Sequence, residues 1–429
     1  MAGRVIRAAE PYYIVAIASL LLFPALRPSW TAIALSGLAL LWLARAVTAR
    51  ELWPATPFND ALLLLCLSMP LAIWASAVPE LTLPKLTGLI LGLAVFRVLA
   101  FGINDRRSFG IGLAAFVLVG AGIWMVGLLG MRLAFLQPVV QRLPAALVSL
   151  PGAPDQGINP NQLAGALTLY LPVVLVLALG CARERRPVPA AILTAAGLAG
   201  VATLILTNSR AGWFGFGASL IALAVLWALI GSGRPVRVIV LGLASAALVG
   251  GLIAGVLLLP PTPAGGASDA VPGLQMGEVA QQLSLESRVE IWSRALYALQ
   301  DFPFTGVGLG TFRRVVNLLY PLFLTPPEVD IAHTHNVFLQ AGVDLGLGGL
   351  VAYLALVIIA GVTGWQVARQ TGGFLRLVAV GLVAALIGYH VYGMADALAL
   401  GSKPSVILWM ILGLIASLAN RHDNREWVS

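Results

Sequence analysis

The chain has 429 residues, of which 59% are hydrophobic and 10% charged, with a mean hydropathy of +0.93. A soluble domain carries about 25% charged residues, so a water-soluble globular fold, a disordered chain and a disulfide scaffold are excluded. What remains is an all-α polytopic membrane protein, and its formal net charge of +8 is read from where the basic residues fall rather than as a sign of nucleic acid.

Arg4 and Arg7 precede the first apolar run. No small-residue cleavage site followed by a soluble segment appears, so the run reads as an uncleaved first span. A span needs about 20 mostly apolar residues. Twelve runs qualify: residues 10–26, 30–47, 58–77, 83–101, 108–130, 160–181, 188–207, 211–231, 236–260, 344–367, 374–394 and 403–420. The first two are short and suit a helical hairpin. Cys66 and Cys181 lie in or at the end of such runs and read as unpaired core thiols. Two connections are long, 131–159 and 261–343, and the others are short. The chain thus divides into residues 1–260 with spans one to nine, a large loop over 261–343, and residues 344–429 with spans ten to twelve and a tail.

Most of the 26 basic residues lie in short loops or at span ends on one side, among them Arg45, Arg97, Arg106, Arg107 and the 183–186 cluster. The positive-inside rule puts that side and both termini in the cytoplasm, and both long loops outside. Within the large loop, residues 260–277 are rich in Pro, Gly and Ala and read as flexible. Ser287 followed by Glu290 then reads as a capping box. Ile291, Trp292, Ala295, Leu296 and Leu299 form an apolar stripe at helical spacing, which predicts an amphipathic helix ending before Pro303.

Two arginines on the outer side share an unusual placement. Thr207-Asn208-Ser209-Arg210 ends span seven and caps span eight, and Ser287-Arg288 opens the amphipathic helix. A helix N-terminus already carries about half a positive charge and several free N–H groups. A cation there is disfavoured unless an anion is bound, so each start reads as an anion site with a guanidinium fork suited to phosphate. The alternative is that each arginine reaches into lipid headgroups or meets a loop carboxylate. His333-Thr334-His335-Asn336 lies just before span ten. A histidine there can act as general base, serve as a plain hydrogen-bonding loop residue, or, with Glu328 or Asp330, bind a metal. Gly306-Val307-Gly308-Leu309-Gly310 reads as a tight turn allowing close backbone packing, and Asn159 as the cap of span six. No Asp-x-Asp occurs, which favours phosphate neutralisation by arginine over a metal-assisted reaction.

These motifs as an ordered set resemble the O-antigen ligase and polymerase superfamily: Thr207-Asn208-Ser209-Arg210-Ala211-Gly212, Ser287-Arg288 with Trp292, the stretch from Pro303 to Phe312, then His335-Asn336-Val337-Phe338-Leu339-Gln340 and Gly346. The resemblance is strongest from about residue 160 to 395. It implies a multispan enzyme similar to the C-type glycosyltransferases, in the inner membrane of a Gram-negative bacterium with its site facing the periplasm. It implies transfer of a glycan from undecaprenyl diphosphate to lipid A–core, inverting and without metal or cofactor. The family's essential arginines fall on Arg210 and Arg288 and its essential histidine on His335. His333, Asn336, Ser209, Arg142, Lys85, Arg313 and Arg314 are secondary candidates, the last four as further phosphate contacts. An O-antigen polymerase using the same donor and a protein glycosylation ligase remain as alternatives. From another class, a transporter would draw on charged or titratable groups in or near spans, here Arg97, His390 and Asp396.

Overall fold

The computed structural model describes residues 2–49, 53, 55–131, 159–231, 233–257, 285–325 and 330–422. These residues form helices and no strands. Five helices precede the first long undescribed segment (132–158): α1 (Ala2–Leu22), α2 (Pro28–Ala49), α3 (Asn59–Ala75), α4 (Pro79–Gly102) and α5 (Arg106–Gly130). Four follow it: α6 (Pro160–Arg183), α7 (Pro187–Leu206), α8 (Arg210–Gly231) and α9 (Arg234–Leu257). Beyond the second come α10 (Leu285–Asp301), α11 (Phe312–Leu319), α12 (Val337–Gln370), α13 (Gly373–Gly393) and α14 (Val406–His422). Each of the twelve expected apolar runs coincides with a helix. Among the described residues, nine helices are long and apolar enough to cross a membrane. The apolar stretch of α1 (Ala9–Leu22) and α3 are shorter. Residues 132–158, with Arg142, and residues 258–284, with the Pro/Gly-rich stretch, lie outside the described residues.

The bundle is built around α6, which is buried along nearly its whole length and packs against α5, α7, α8 and α13. α13 and α8 cross closely, and a Cβ on Gly215 would lie 2.7 Å from the Gly388 carbonyl oxygen. Small residues permit that approach where apolar lipid supplies no driving force of its own. α14 packs on α4, and α12 on α3 and α13. Cys181 is buried as expected, whereas Cys66 is exposed on α3, and both thiols are free.

α1 and α2 form the expected hairpin, with the Tyr13 hydroxyl donating to the Ala34 carbonyl at 3.0 Å. The hairpin leans on α4 around one buried acid. Glu10 accepts hydrogen bonds from Arg45, Arg97 and the Trp42 indole. Arg97 also lies over the Trp42 and Phe101 rings, 5.3 Å from each centroid. The positive-inside pattern counts Arg45 and Arg97 among the cytoplasmic surface charges. They are instead 3% and 0% exposed, because a guanidinium in an apolar bundle needs a carboxylate and hydrogen-bond partners more than it needs headgroups.

Two expected helix starts are corrected. α10 already runs from Leu285, so Ser287 and Arg288 lie within helix rather than at its cap. Glu290 makes no capping box: its carboxylate accepts the N–H groups of Phe323 and Leu324, at 2.6 and 3.0 Å. Of the predicted stripe, Ile291, Ala295 and Leu299 are buried while Leu296 faces outward, and Ala298 takes its place. α12 begins at Val337, earlier than the residue 344 predicted for span ten. It is broken at Gly346, whose φ of 71° and ψ of −174° are open to glycine alone. There Leu347 N–H bonds to the Pro303 carbonyl at 2.7 Å. A Cβ on Gly346 would meet Phe304 backbone atoms at 2.6 Å.

Candidate active site

One end of the bundle gathers the sequence-predicted residues, and each is placed by a local device. Asn159 caps α6 through Asn161 N–H at 2.8 Å. Ser209 caps α8, accepting Gly212 N–H at 3.3 Å, and so sets Arg210 at the first helical position, exposed. Asn336 caps α12, accepting Phe338 and Leu339 N–H at 3.0 and 3.1 Å, and its amide donates to the Met394 carbonyl at 3.3 Å. The glycine turn packs as expected: Gly306 has φ of 64°, and its Cβ would sit 2.5 Å from the Val343 carbonyl oxygen.

The centre is a group of four side chains from three parts of the chain. The Asp396 Oδ1 lies 3.5 Å from His333 Nε2 and 3.7 Å from His335 Nδ1. The two imidazole rings are 4.3 Å apart. Arg288 lies within electrostatic reach of His333 and of Tyr392. One turn further along α10, the Trp292 indole donates to the His335 carbonyl at 3.3 Å. His335 is held at φ of 52°, a left-handed conformation that a non-glycine residue adopts only under constraint. Among the described residues, Arg288 Nε, His335 Nδ1 and Asp396 Oδ2 are buried without a hydrogen-bond partner. Buried polar atoms are nearly always matched, so three unmatched ones on residues of this group make it a candidate site.

Burial, then the positive surroundings supplied by His335, Lys85 and Arg288, depresses His333 to about 3. Its ring is therefore neutral at physiological pH. Burial would raise Asp396, but the contact with His335, the attraction of both imidazoles in the acidic range where the carboxyl titrates, and the Ala397 N–H outweigh it and hold the carboxyl at about 2. It is ionised throughout the ordinary range.

His333, His335 and Asp396 each offer an atom within 4.8 Å of the other two, a spacing that admits a metal ion. The tautomer argues against one. His333 Nδ1 accepts the His335 N–H at 3.2 Å, so the proton of the neutral ring resides on Nε2, the atom facing Asp396. That arrangement is a hydrogen-bonding chain rather than a ligand set. The sequence does not tie Asp396 to the histidines. Of the acids that it does, Asp330 pairs with Arg313 and Glu328 lies outside the described residues.

Arg210 is not in contact with this group. It opens the helix whose Gly215 packs beside Tyr392, at the end of the bundle where the Tyr392 hydroxyl donates to the Asn161 carbonyl at 2.8 Å. Among the described residues it has no hydrogen-bond or ion-pair partner. Lys85 stands on α4 beside the glycine turn, and Arg314 is exposed on α11. The groups a transporter would use are otherwise engaged. Arg97 pairs with Glu10. His390 lies 2.9 Å from the Tyr353 hydroxyl and 2.7 Å from the Leu386 carbonyl.

No curated protein matches the chain. Residues 194–354 match the model of the family described as O-antigen ligase. The segment from α7 into α12, with Arg210, Arg288, His333 and His335 in it, is thus similar to the O-antigen ligase family.

Proposed function

We propose that this membrane protein is an O-antigen ligase that moves a glycan from undecaprenyl diphosphate onto a sugar of lipid A–core at the periplasmic face of the inner membrane. The observation that carries the reading is the convergence of Arg288, His335 and Asp396 with an unmatched polar atom on each. The Asp396 carboxylate draws the His335 proton onto Nδ1, which leaves Nε2 with its lone pair free, the division of labour seen when a carboxylate orients an imidazole base. Nε2 takes the proton of the acceptor hydroxyl as that oxygen attacks the anomeric carbon. Arg288 neutralises charge growing on the departing diphosphate, the kind of electrostatic contribution that is often the largest in catalysis. Arg210, exposed at the start of α8, meets the diphosphate from the other side. A single displacement inverts the anomeric centre and needs no metal, because the leaving group is already a good one.

The test is reconstitution in liposomes with an undecaprenyl diphosphate-linked glycan and lipid A–core. Attachment of the whole glycan is expected, unchanged by chelator and lost in Arg288→Ala and His335→Ala while both still insert. Extension of the carrier-linked glycan instead of attachment to core makes the protein a polymerase. Transfer that depends on added divalent ion overturns the metal-free chemistry.

A further inference from the structure

The His335 turn is strained, and its own contacts are not enough to explain why it stays so. Inside the turn, the Thr334 hydroxyl donates to the Asn336 carbonyl at 2.8 Å and His335 N–H to His333 Nδ1 at 3.2 Å. Both bonds close within the same few residues and would travel with the turn. The Thr334 backbone N–H instead reaches out, donating to Gln340 Oε1 at 2.8 Å. The other end of that amide, Nε2, donates to Asp344 Oδ1 at 2.8 Å. The same carboxylate oxygen accepts Gly310 N–H at 2.9 Å. Thr334, Gln340 and Asp344 are 0, 2 and 3% exposed, so none of these groups has water as a substitute partner, and a mismatch costs the full desolvation of what is left unmatched.

We propose that Gln340 and Asp344 are positioning residues that fix the catalytic histidine from behind, tying its turn by one backbone N–H to the glycine turn at Gly310. Neither touches Asp396, His333 or Arg288 through a hydrogen bond among the described residues; they act through the backbone beside His335. The relay has a direction. Only a side chain with both an acceptor and a donor can stand at position 340 between an N–H and a carboxylate. Glutamine meets that requirement, and glutamate would set two carboxylates face to face.

The inference rests on His335 being the base, and the experiment separates the two. In the liposome assay, Gln340→Glu is expected to lower kcat about tenfold or more with KM for the lipid-linked donor little changed. Asp344→Asn keeps an oxygen for Gly310 and Gln340 and is expected to lower kcat less than Gln340→Glu, because it removes a charge facing Lys85 but no hydrogen bond of the relay. In Gln340→Glu/Asp344→Asn the amide at position 344, once turned, donates to the carboxylate at position 340 while its oxygen accepts Gly310 N–H, so the 340–344 bond alone is reversed and every donor of the relay is matched. That double variant should recover kcat to within about threefold of Asp344→Asn alone. Carbethoxylation of His335 by diethyl pyrocarbonate, followed by mass spectrometry, should rise in Gln340→Glu and fall back in the double variant. This readout stands whether or not glycan is transferred. A double variant as slow as Gln340→Glu, or unchanged His335 reactivity across the set, overturns the relay. A wild-type protein that transfers nothing, with the reactivity pattern intact, overturns the ligase reading and leaves the relay standing.

Discussion

His333 is the titratable group whose surroundings differ most plainly from water, and its consequence is a pH dependence of stability. Its folded value of about 3 lies below the ordinary imidazole value near 6.5. Between those values the unfolded chain binds more protons, so stability rises with pH across the window and is fully present above it. Asp396, held at about 2, stays charged in the fold and adds a slope of the same sign only below about pH 5, where the unfolded carboxylate begins to bind protons. The detergent-solubilised protein should therefore lose thermal stability as pH falls from about 6.5 to 4.5, and His333→Asn should shrink that loss. Equal losses in the two proteins would show that the buried imidazole is not the source. At this scale the sequence is partly legible. Arg210, Arg288 and the two histidines stand out by type and spacing. Asp396 does not, since nothing at a span end marks an acid as the partner of a turn that is remote in sequence; only the return of α13 beside α12 creates that pairing.

Among the elements, the glycines repay the closest reading. The sequence marks 306–310 as a turn for close packing, and the Gly306 φ of 64° and its approach to Val343 agree with that. It does not mark the break in α12, because apolar composition runs on through Gly346 and periodicity is blind to one residue of non-helical backbone. Gly346→Ala would bring both a φ of 71° that alanine resists and a Cβ 2.6 Å from Phe304. The strain alone is about 1–3 kcal/mol. A clear fall in Tm is expected, with Gly361→Ala, where a Cβ meets nothing within 4 Å, as the neutral control. Similar Tm values for the two variants would refute the packing argument. The misplaced capping box teaches a related lesson. Ser287 and Glu290 fit the local pattern, yet Glu290 serves the Phe323–Leu324 backbone instead. Tertiary partners decide between two uses of the same carboxylate.

For the molecule as a whole, hydropathy locates every helix that the twelve runs anticipate, while the way the hairpin docks cannot be read from it. That docking centres on Glu10, 1% exposed and holding two arginines. Glu10→Gln takes the Glu10 carboxylate away from two buried guanidinium groups, a change of about 3–5 kcal/mol in comparable cases. It should lower Tm and expose the α1–α2 hairpin to protease. Glu10→Leu/Arg45→Leu/Arg97→Met, which removes all the charge together, should restore both. A triple variant no better than Glu10→Gln would show that the ion cluster itself, not merely its neutrality, holds the hairpin. The interruption at Gly346 has a mechanical reach of its own. Because the ladder of α12 is interrupted at Gly346, its first turns are held by the Asn336 cap and by the Pro303 and Phe304 backbone, so the segment that follows the histidines takes its position from the loop beside it and not from the membrane-crossing arm alone.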